Sequence, residues 1–542
     1  MTDYLRSLLL FVAAVLCLSS QTPCRAQIPG KADIYSASSS LTGALVSIQR
    51  NYVDTVDLDL LSEAAIRAML QKLDPHSTYL TPKEVNEMNE NLGGEFEGIG
   101  VRYQMEQDTL LVISTVAGGP SEKVGILPGD RIVMVGDSSI AGQHYSTEQI
   151  QRRLRGPKGS VVQLGVMRQA EPQMLWFKVE RAKIPVISVD ASYMLTPQIG
   201  YIRVIRFAQT TPQEMRQALE GLQKRGMERL IIDLQDNGGG YLNSAIDLSN
   251  MFLPESEMVV YTEGRRVGRQ DYITRRFSHW FRGPLVVLIN EQSASASEIF
   301  AGCVQDLDRG VIVGRRSFGK GLVQRPVPLP NGGLMRLTTS HYFTPSGRCI
   351  QKPYTKGDQQ SYQRELIDRS NHGELFSADS IHFADSLRHF TRAGRTVFGG
   401  GGIMPDVFVP VDTTLYTRAH RAVVARGSIN RFVLQYFRDH QAELHAHYPT
   451  IDDFLHPQHG FQVDSTLIDG VLLQARQDSV QCDTLESLRH NDYFRLNILA
   501  YIANDLYEDG AMVRIFNRSS NILQKALAII TDDEEYRRHL QP

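Results

Sequence analysis

The stretch from Pro284 to Gln324 constrains the fold of this chain more than any other. Pro284 to Ile289 (PLVVLI) is a short apolar run typical of a buried strand, and it leads into a turn of small residues, Ser293 to Ser297. Apolar residues then recur at helical spacing: Ile299, Phe300, Cys303, Val304 and Leu307. They predict a helix over about Ala296 to Asp306, and a second apolar strand follows at Val311 to Val313. Strands alternating with a helix in this way indicate an α/β core.

Two residues of this stretch are candidates for chemistry. Ser295 lies at the predicted strand-to-helix turn, where it is placed for nucleophilic attack beside helix N-terminal amides that can stabilise an oxyanion. Lys320 lies between two glycines in the loop after the second strand. Because lysine is protonated in neutral water, a lysine base needs a desolvated pocket that lowers its pKa toward about 7 to 8. The alternative is an N-capping serine and a surface lysine, and residue types alone favour it.

The loop that holds Lys320 also matches the pattern of a phosphate-binding loop. Gly314 to Gly321 (GRRSFGKG) fits G-x-x-x-x-G-K and follows a predicted strand. The match then fails, because Gly321 stands where a Ser or Thr would hold magnesium. Pro326, Pro328 and Pro330 also exclude the long helix that would bind the phosphate. Nucleotide hydrolysis is therefore excluded, and the remaining use of a glycine-flanked lysine is as a base, with apolar walls from its neighbours Phe318, Leu322 and Val323.

The first 26 residues are typical of a cleavable secretory signal. A short apolar segment, Leu8 to Leu18, follows a single arginine, and small residues precede a cut after Ala26. The apolar run is shorter than a membrane-spanning helix requires. We therefore expect an exported, periplasmic or extracytoplasmic protein that is soluble after cleavage. The odd number of remaining cysteines argues against a disulfide framework. A net charge of −3 without long runs of one sign gives no indication of nucleic acid as a partner.

The patterns predict five regions: a signal peptide over 1–26, a helical region over 27–92, a mostly β module over 93–183, an α/β core over 184–412, and a helical C-terminal domain over 413–542. The polar segment from about 354 to 395 interrupts the core and is expected to be an insertion. Five histidines of the last region (His440, His445, His447, His456 and His459) stand without an HExxH motif or a cysteine pair. We therefore predict no metal site among them.

The β module resembles a PDZ domain. Gly98, Ile99, Gly100 and Val101 stand where such a domain has its glycine loop before a peptide-pairing strand, and GILPGDRI (125–132) matches a later helix, turn and strand. Glycines let backbone N–H groups turn toward a peptide carboxylate, and the strand edge can add an extended peptide. The four residues are therefore the predicted peptide-binding site.

Six motifs, given in the order of the sequence, resemble the carboxy-terminal processing proteases, also called tail-specific proteases: LDPHSTYL, DLQDNGGG, SASASE, SFGKGLVQ, YFTPSGR and GGIMPDV. Together with the PDZ-like module they cover roughly residues 35 to 412. The family's serine and lysine lie 25 positions apart, as do Ser295 and Lys320. Two departures stand out: Gln235 replaces a frequent arginine, and both the 354–395 segment and the helical tail exceed the minimal family plan.

The resemblance implies a multidomain α+β protein, with a crotonase/ClpP-like α/β protease core, and a serine endopeptidase activity. By resemblance Ser295 is the nucleophile, Lys320 the base and Gln324 the residue that orients the base. The oxyanion donors would be the backbone N–H of Ala296 and of one glycine of the triplet. That glycine would be Gly240, with Gly239 as its neighbour.

The resemblance also implies partners and regulation. The PDZ domain would capture apolar C-terminal tails of protein substrates, and Arg155 would couple it to the active site. No metal, nucleotide or other cofactor is expected, and assembly into a homo-oligomer through terminal helices rests on resemblance alone. Two rival functions stay open at this point: a non-catalytic peptide-binding scaffold of the same fold, and an acyl-transfer enzyme that acts on small esters.

Overall fold

The computed structural model describes residues 33–106, 108–168, 171–275, 281–482, 484–507 and 510–542. The predicted signal peptide lies outside the described residues. By its internal packing the chain divides into two compact units, Met1–Met69 and Leu70–Pro542. Within the described ranges no helix has both the length and the apolar character needed to cross a membrane.

The predicted N-terminal helices are present. The elements of this part are α1 (Ile34–Asn51), α2 (Leu58–Gln71), β1 (Thr78–Leu80) and α3 (Pro82–Gly93). Asp33 caps α1 through a bond from Ser36 N at 2.7 Å. Thr81 caps α3 in a reciprocal capping box with Glu84.

The module predicted to be mostly β forms a six-stranded antiparallel sheet. Its elements and the short strand pair beside it are β2 (Glu95–Gly98), β3 (Val101–Glu106), β4 (Thr109–Thr115), α4 (Pro120–Lys123), β5 (Arg131–Val135), β6 (Ser138–Ser139), α5 (Thr147–Leu154), β7 (Val161–Met167), β8 (Leu175–Glu180) and β9 (Ala182–Pro185). Among the described strands, β3 lies at the edge of this sheet and has β4 as its one partner. The module has its own apolar core, which includes Ile99, Leu110 and Ile150.

The core is built around a second six-stranded sheet of order β10-β11-β12-β15-β16-β21. Its elements are β10 (Val189–Met194), β11 (Ile199–Val204), α6 (Thr211–Lys224), β12 (Arg229–Asp233), α7 (Leu242–Ser249), β13 (Met258–Glu263), β14 (Gln270–Ile273), β15 (Leu285–Ile289), α8 (Ala296–Asp306), β16 (Val311–Gly314) and β21 (Val407–Phe408). All neighbours are parallel except β10 and β11. The carboxyl ends of the five parallel strands β11, β12, β15, β16 and β21 therefore meet at one edge, where open α/β sheets place their ligands.

Helices cover both faces of this sheet. On one face, Ile232, Val287 and Ile312 pack with the buried sides of α6, α7 and α8. On the other face, Ile231 and Val286 pack with a helix near the C-terminus, α16 (Asn521–Thr531). Near-continuous apolar runs such as LVVLI in β15 are what a strand buried on both faces requires.

A second sheet of the core carries β17 (Leu322–Pro328) and β18 (Leu334–Phe343). β18 pairs with β1, β13 and β17, so the segment that follows Lys320 and the segment around residues 74–80 meet on one strand. The predicted insertion adds no strand to either core sheet. It contains α9 (Gln359–Asn371), two short 3-10 turns, and a separate pair, β19 (Arg388–Phe390) with β20 (Thr396–Phe398).

The predicted helical region over 413–542 is shared between two cores. Its further helices are α10 (Arg418–Ala425), α11 (Ser428–His447), α12 (Ile451–Phe454), α13 (Ser465–Gln477), α14 (Asp492–Tyr507), α15 (Ala511–Phe516) and α17 (Asp533–Arg538). Helices α10 to α15 enclose an apolar core of their own. In contrast, α16 completes the sandwich around the core sheet, and Tyr536 of α17 packs there as well.

Candidate active site

Ser295 lies at the turn between β15 and α8, and the bounds of α8 are those that the sequence predicts. It occupies the N-cap position with φ 57° and ψ −113°, a strained conformation for a residue with a Cβ. Two neighbouring serines hold the turn: Ser293 Oγ donates to Leu234 O at 2.7 Å, and Ser297 Oγ donates to Asn237 O at 2.9 Å. Among the described residues Ser295 Oγ donates to no acceptor, so its hydroxyl is left available.

The glycine loop after β12 lies directly against this turn. A Cβ added to Gly239 would lie 2.8 Å from Ser295 Cβ and 2.9 Å from Ala296 N, so only glycine fits there. Asn237 is fully buried and holds the loop, because its Oδ1 accepts from Gly239 N at 2.9 Å and its Nδ2 donates to Val204 O at 2.7 Å. Sequence reasoning did not single out Asn237.

The backbone N–H groups of Ala296 and Gly240 are both open. Within the described part of the chain neither N–H has an acceptor, whereas the N–H of Gly239 is taken by Asn237. The carbonyl of Phe207 accepts from Tyr241 N at 2.8 Å, and it leaves no room for a side chain at Gly240. Two free donors beside a serine are the arrangement that an oxyanion requires.

A buried carboxylate, Glu298, ties the Ser295 turn to the Lys320 loop. Its Oε2 accepts from Ser295 N at 2.8 Å and from Lys320 N at 2.9 Å, so these two nitrogens lie within about 6 Å of each other. Its Oε1 accepts from Gly319 N at 2.7 Å and from Ser317 Oγ at 2.6 Å. Burial raises the pKa of Glu298, and these four bonds oppose the rise. The S-x-x-E capping pattern is the sequence signal that could have identified this residue.

The surroundings of Lys320 lower the pKa of its amine, which raises the neutral fraction near neutral pH. Burial, and after it the charge of Arg336, lowers the pKa of Lys320 from 10.5 to about 8, whereas Glu298 and Asp74 oppose the change. Among the described residues no hydrogen bond joins Ser295 Oγ to Lys320 Nζ. Such bonds are often long in a protein without substrate and shorten only in the complex. A strand, β17, follows the lysine, which agrees with the exclusion of a phosphate-binding loop.

Gln324 is not hydrogen-bonded to Lys320 in this structure. Its Nε2 donates to Thr338 Oγ1 at 3.3 Å, and Thr338 Oγ1 donates to Asp74 Oδ1 at 2.9 Å. Asp74 also accepts from Ser77 Oγ at 2.5 Å. The motif LDPHSTYL therefore reaches the surroundings of Lys320 through Thr338, a contact that its position in the sequence does not reveal.

His76 of the same motif is also near the lysine. Burial, and after it the charge of Lys320, lowers the pKa of His76 to about 4, so its ring is neutral at physiological pH. Its Nε2 lies 2.8 Å from the Tyr362 hydroxyl.

The predicted peptide-binding residues stand at the start of the edge strand β3. Gly98 ends β2, Ile99 and Gly100 form the loop, and Val101 begins β3. Gly100 has φ 71°, which suits glycine, and within the described residues the N–H groups of Ile99 and Gly100 have no acceptor. The loop and the open edge of β3 thus have the geometry that β-augmentation needs.

Arg155 lies at the C-terminal end of α5, far along the module from this loop in sequence. Its Nη1 pairs with Glu90 of α3, and its guanidinium lies 4.7 Å above the Phe96 ring. Arg155 therefore joins the β module to the helix that follows β1.

Three family models match the chain. Peptidase family S41 matches residues 198–361, a PDZ domain model matches residues 112–168, and a family of unknown function matches residues 419–509. The carboxy-terminal processing protease CtpB of Bacillus subtilis is 33% identical over 347 residues, which are 63% of this chain and 72% of the relative. A carboxy-terminal-processing protease of Bartonella bacilliformis is 37% identical over 311 residues, which are 56% of this chain and 70% of the relative.

Among solved structures, a photosystem II D1 C-terminal processing protease is 28% identical and covers 57% of this chain and 89% of its own. Its TM-score against this chain is 0.33.

Proposed function

The chain belongs to the carboxy-terminal processing proteases of peptidase family S41, and on that basis we propose that Ser295 and Lys320 are its catalytic dyad. It is a serine-type endopeptidase with a PDZ domain. The observation that carries the dyad is the pair of bonds from Ser295 N and Lys320 N to one oxygen of Glu298. A nucleophile and a base that share one buried anchor keep their separation when substrate binds.

The proposed reaction follows from the groups around Ser295. Its Oγ attacks the scissile carbonyl while neutral Lys320 accepts the hydroxyl proton, and the protonated lysine then gives that proton to the leaving amine. The N–H groups of Ala296 and Gly240 stabilise the oxyanion, and Gly239 supplies the space between them. Water attacks the acyl-enzyme in the second half of the reaction, with Lys320 again as the base.

Gln324 is proposed to orient the Lys320 amine. Its bond to Thr338, and that of Thr338 to Asp74, fixes where the amide of Gln324 points. We propose Asp74 and Thr338 as supports of Gln324 rather than as reacting groups.

Substrates are proposed to be proteins with accessible, apolar C-terminal tails. The tail carboxylate would accept from the N–H groups of the loop at Gly98 to Val101, and the tail would pair with the open edge of β3. The order of units proposed for the chain is a signal peptide (1–26), a helical region (27–92), the PDZ domain (93–183), the peptidase core (184–412) and a helical region (413–542). We propose export from the cytoplasm on the pattern of the first 26 residues.

The dyad is tested by substitution. Purified parent protein, Ser295→Ala and Lys320→Ala are incubated with an unfolded protein that ends in an apolar tail, and the fragments are quantified. Both variants should lose about a thousandfold or more of the cleavage rate. Lys356→Ala, at an exposed lysine of the insertion, is the matched control and should cleave as the parent does. Equal fragment yields from the parent and both dyad variants would refute the proposed dyad.

A further inference from the structure

The helix of the insertion, α9, contacts the Lys320 loop through a buried arginine. Arg369 is 2% exposed, its Nη1 donates to Ser317 O at 2.7 Å, and its Nη2 donates to Phe318 O at 3.1 Å. Its Nε donates to Glu365 Oε1 at 2.5 Å on the same helix. A buried guanidinium with three hydrogen bonds is held in one orientation, and these two carbonyls come directly before Gly319 and Lys320.

The peptide groups that accept from Arg369 are also held at their other end. The N–H of Phe318 donates to Ser293 O at 3.0 Å, within the nucleophile turn. The N–H of Gly319 donates to Glu298 at 2.7 Å. Each of the two peptide planes before Gly319 is thus fixed between Arg369 on its carbonyl side and the Ser295 side of the site on its amide side. A peptide plane held at both ends is restrained from rotating. The next peptide is held as well, because Gly319 O accepts from Lys352 N and Lys320 N donates to Glu298, so the backbone that leads into Lys320 is restrained along its length.

Further contacts join α9 to the same loop. Lys352 Nζ lies 2.7 Å from Glu365 Oε2 and 4.0 Å above the centre of the Phe318 ring, and Lys352 N donates to Gly319 O at 2.9 Å. The Tyr362 ring lies 6.0 Å from that of Phe318, and its hydroxyl contacts His76. The insertion helix is therefore packed against Phe318 and, through Lys352, against the backbone that leads into Lys320.

We propose that Arg369 is a positioning residue for the catalytic base, and that the insertion helix α9 acts as a clamp on the Lys320 loop. This inference rests on the proposed dyad. Arg369 touches neither the substrate nor the reacting atoms; it fixes the backbone from which the lysine projects. A displacement of about 1 Å at a reacting group can lower the rate roughly a hundredfold. We therefore expect the restraint on this backbone to affect kcat directly.

The test compares Arg369→Ala with the parent on a tail-bearing substrate. Loss of the clamp should lower kcat by about ten- to a hundredfold with little change in KM. It should also move the midpoint of the pH–rate profile upward, because a looser loop admits water to Lys320. Millimolar guanidinium chloride should restore part of kcat, and sodium chloride at equal ionic strength should not. Arg364→Met, at an exposed arginine of the same helix, is the control and should match the parent.

The outcomes separate a positioning role from a merely structural one. A covalent serine-directed reagent counts competent sites, so rates are expressed per titrated site. If Arg369→Ala has the parent's kcat and pH midpoint per site, the inference is overturned. If this variant does not fold, Arg369→Lys is used instead, because its single ammonium group cannot reach both carbonyls as the guanidinium does. A kcat and a pH midpoint between those expected for Arg369→Ala and those of the parent support the inference, and parental values overturn it. Lys320→Ala runs in parallel, because a variant that stays active refutes the dyad itself rather than the clamp.

Discussion

At the scale of single residues, the negative charge of Glu298 and the positive charge of Arg336 have opposite effects on the pKa of Lys320. Glu298 takes four hydrogen bonds and, as an anion, raises the pKa of Lys320, whereas burial and Arg336 lower it. The carboxylate is needed to hold the backbone of both dyad residues, and the lysine works as a base only when it is neutral. Arg336 offsets part of the unwanted effect of Glu298. On β18 it lies two residues from Thr338, and side chains two apart share a face of a strand.

We therefore expect cleavage to rise with pH, with a midpoint near the Lys320 pKa of about 8, because the neutral fraction of the amine rises through that value. Arg336→Met removes the cation that lowers this pKa, so the midpoint should move to higher pH and the rate at pH 7 should fall by roughly three- to tenfold. The measurement is kcat/KM from pH 6 to 10. Arg336→Lys keeps the charge and should retain the parental midpoint. A midpoint that is the same in Arg336→Met and the parent would show that this charge does not tune the base.

At the scale of elements, local patterns predict much of the site. The bounds of α8 and the strand before it follow from apolar spacing, and the structure agrees with them. Ser293 and Ser297 hold the turn by donating to Leu234 O and Asn237 O, whereas Ser295 occupies the N-cap position. The sequence pattern also predicts a helix from about Pro212, with Thr211 as a candidate cap. In the structure Thr211 is the first residue of this helix and Thr210 is its N-cap. A shift of one residue is ordinary, since helix ends differ by the hydrogen bonds of a single turn.

Contacts between distant segments could not be read from the same patterns. The sequence marks residues from about 354 to 395 as a polar insertion, but it does not show that Arg369 meets Ser317 and Phe318. Likewise, the helical pattern over 413–542 does not show that α16 packs on the core sheet. The bond from Gln324 to Thr338 depends on the register of β17 with β18, which pairs these two residues across a bulge. A bulge changes which side chains face each other, and the sequence does not encode it visibly.

One element-scale contact connects the PDZ domain with α3, the helix that follows β1. Arg155 of α5 pairs with Glu90 of α3, and α3 directly follows β1, which pairs with β18 at Thr78 and Arg336. Arg155→Ala should lower cleavage of a tail-bearing protein by about three- to tenfold, and it should leave cleavage of a short peptide without that tail unchanged. The double change with Glu90→Ala should add little, because both substitutions remove one pair.

The control for this pair is Arg152→Ala, an arginine of the same helix whose side chain is 67% exposed and which pairs with Glu148. It should behave as the parent with both substrates. If Arg155→Ala cleaves the tail-bearing protein as fast as the parent, the coupling between PDZ domain and core does not run through this residue.

At the scale of the whole second unit, the C-terminal helices bridge the PDZ domain and the core. Leu434 of α11 packs against Leu111 and Ile113 of β4, and Arg438 reaches Glu106 of β3 at 3.1 Å. At the other end of this region, α16 covers the core sheet. The even-numbered side chains of β3, such as Arg102 and Glu106, face these helices. The odd-numbered side chains, such as Val101 and Tyr103, lie on the opposite face of the strand and pack in the PDZ core. The helices thus support the peptide-pairing strand from behind and leave its edge open.

This contact contains a buried carboxylate that should make stability depend on pH. Asp505 of α14 is 3.5 Å from Arg102 of β3, and its side chain is 4% exposed. Burial raises the pKa of Asp505 from 3.8 to about 6. Between these two values the folded protein binds a proton that the unfolded chain does not, so the free energy of unfolding falls as pH rises through this window. Above it, the ionised carboxylate carries the full cost of burial, which Arg102 only partly offsets because its own side chain is 39% exposed.

Asp505→Asn removes that cost while keeping the shape of the side chain. We expect the variant to be more stable than the parent by about 1–2 kcal/mol at pH 7, and the difference to shrink as pH falls from about 6 to 4. Urea unfolding at pH 4, 5, 6 and 7 measures it, with tryptophan fluorescence from Trp176 of β8 as a signal within the PDZ domain. Asp478→Asn is the control, because its hydrogen bonds lower the pKa of that carboxyl and its loss should destabilise the protein at pH 7. The prediction is wrong if the difference in free energy of unfolding between Asp505→Asn and the parent stays constant from pH 4 to 7. Asp505 would then not titrate in this window, and the packing of the C-terminal helices on β3 would be insensitive to its charge.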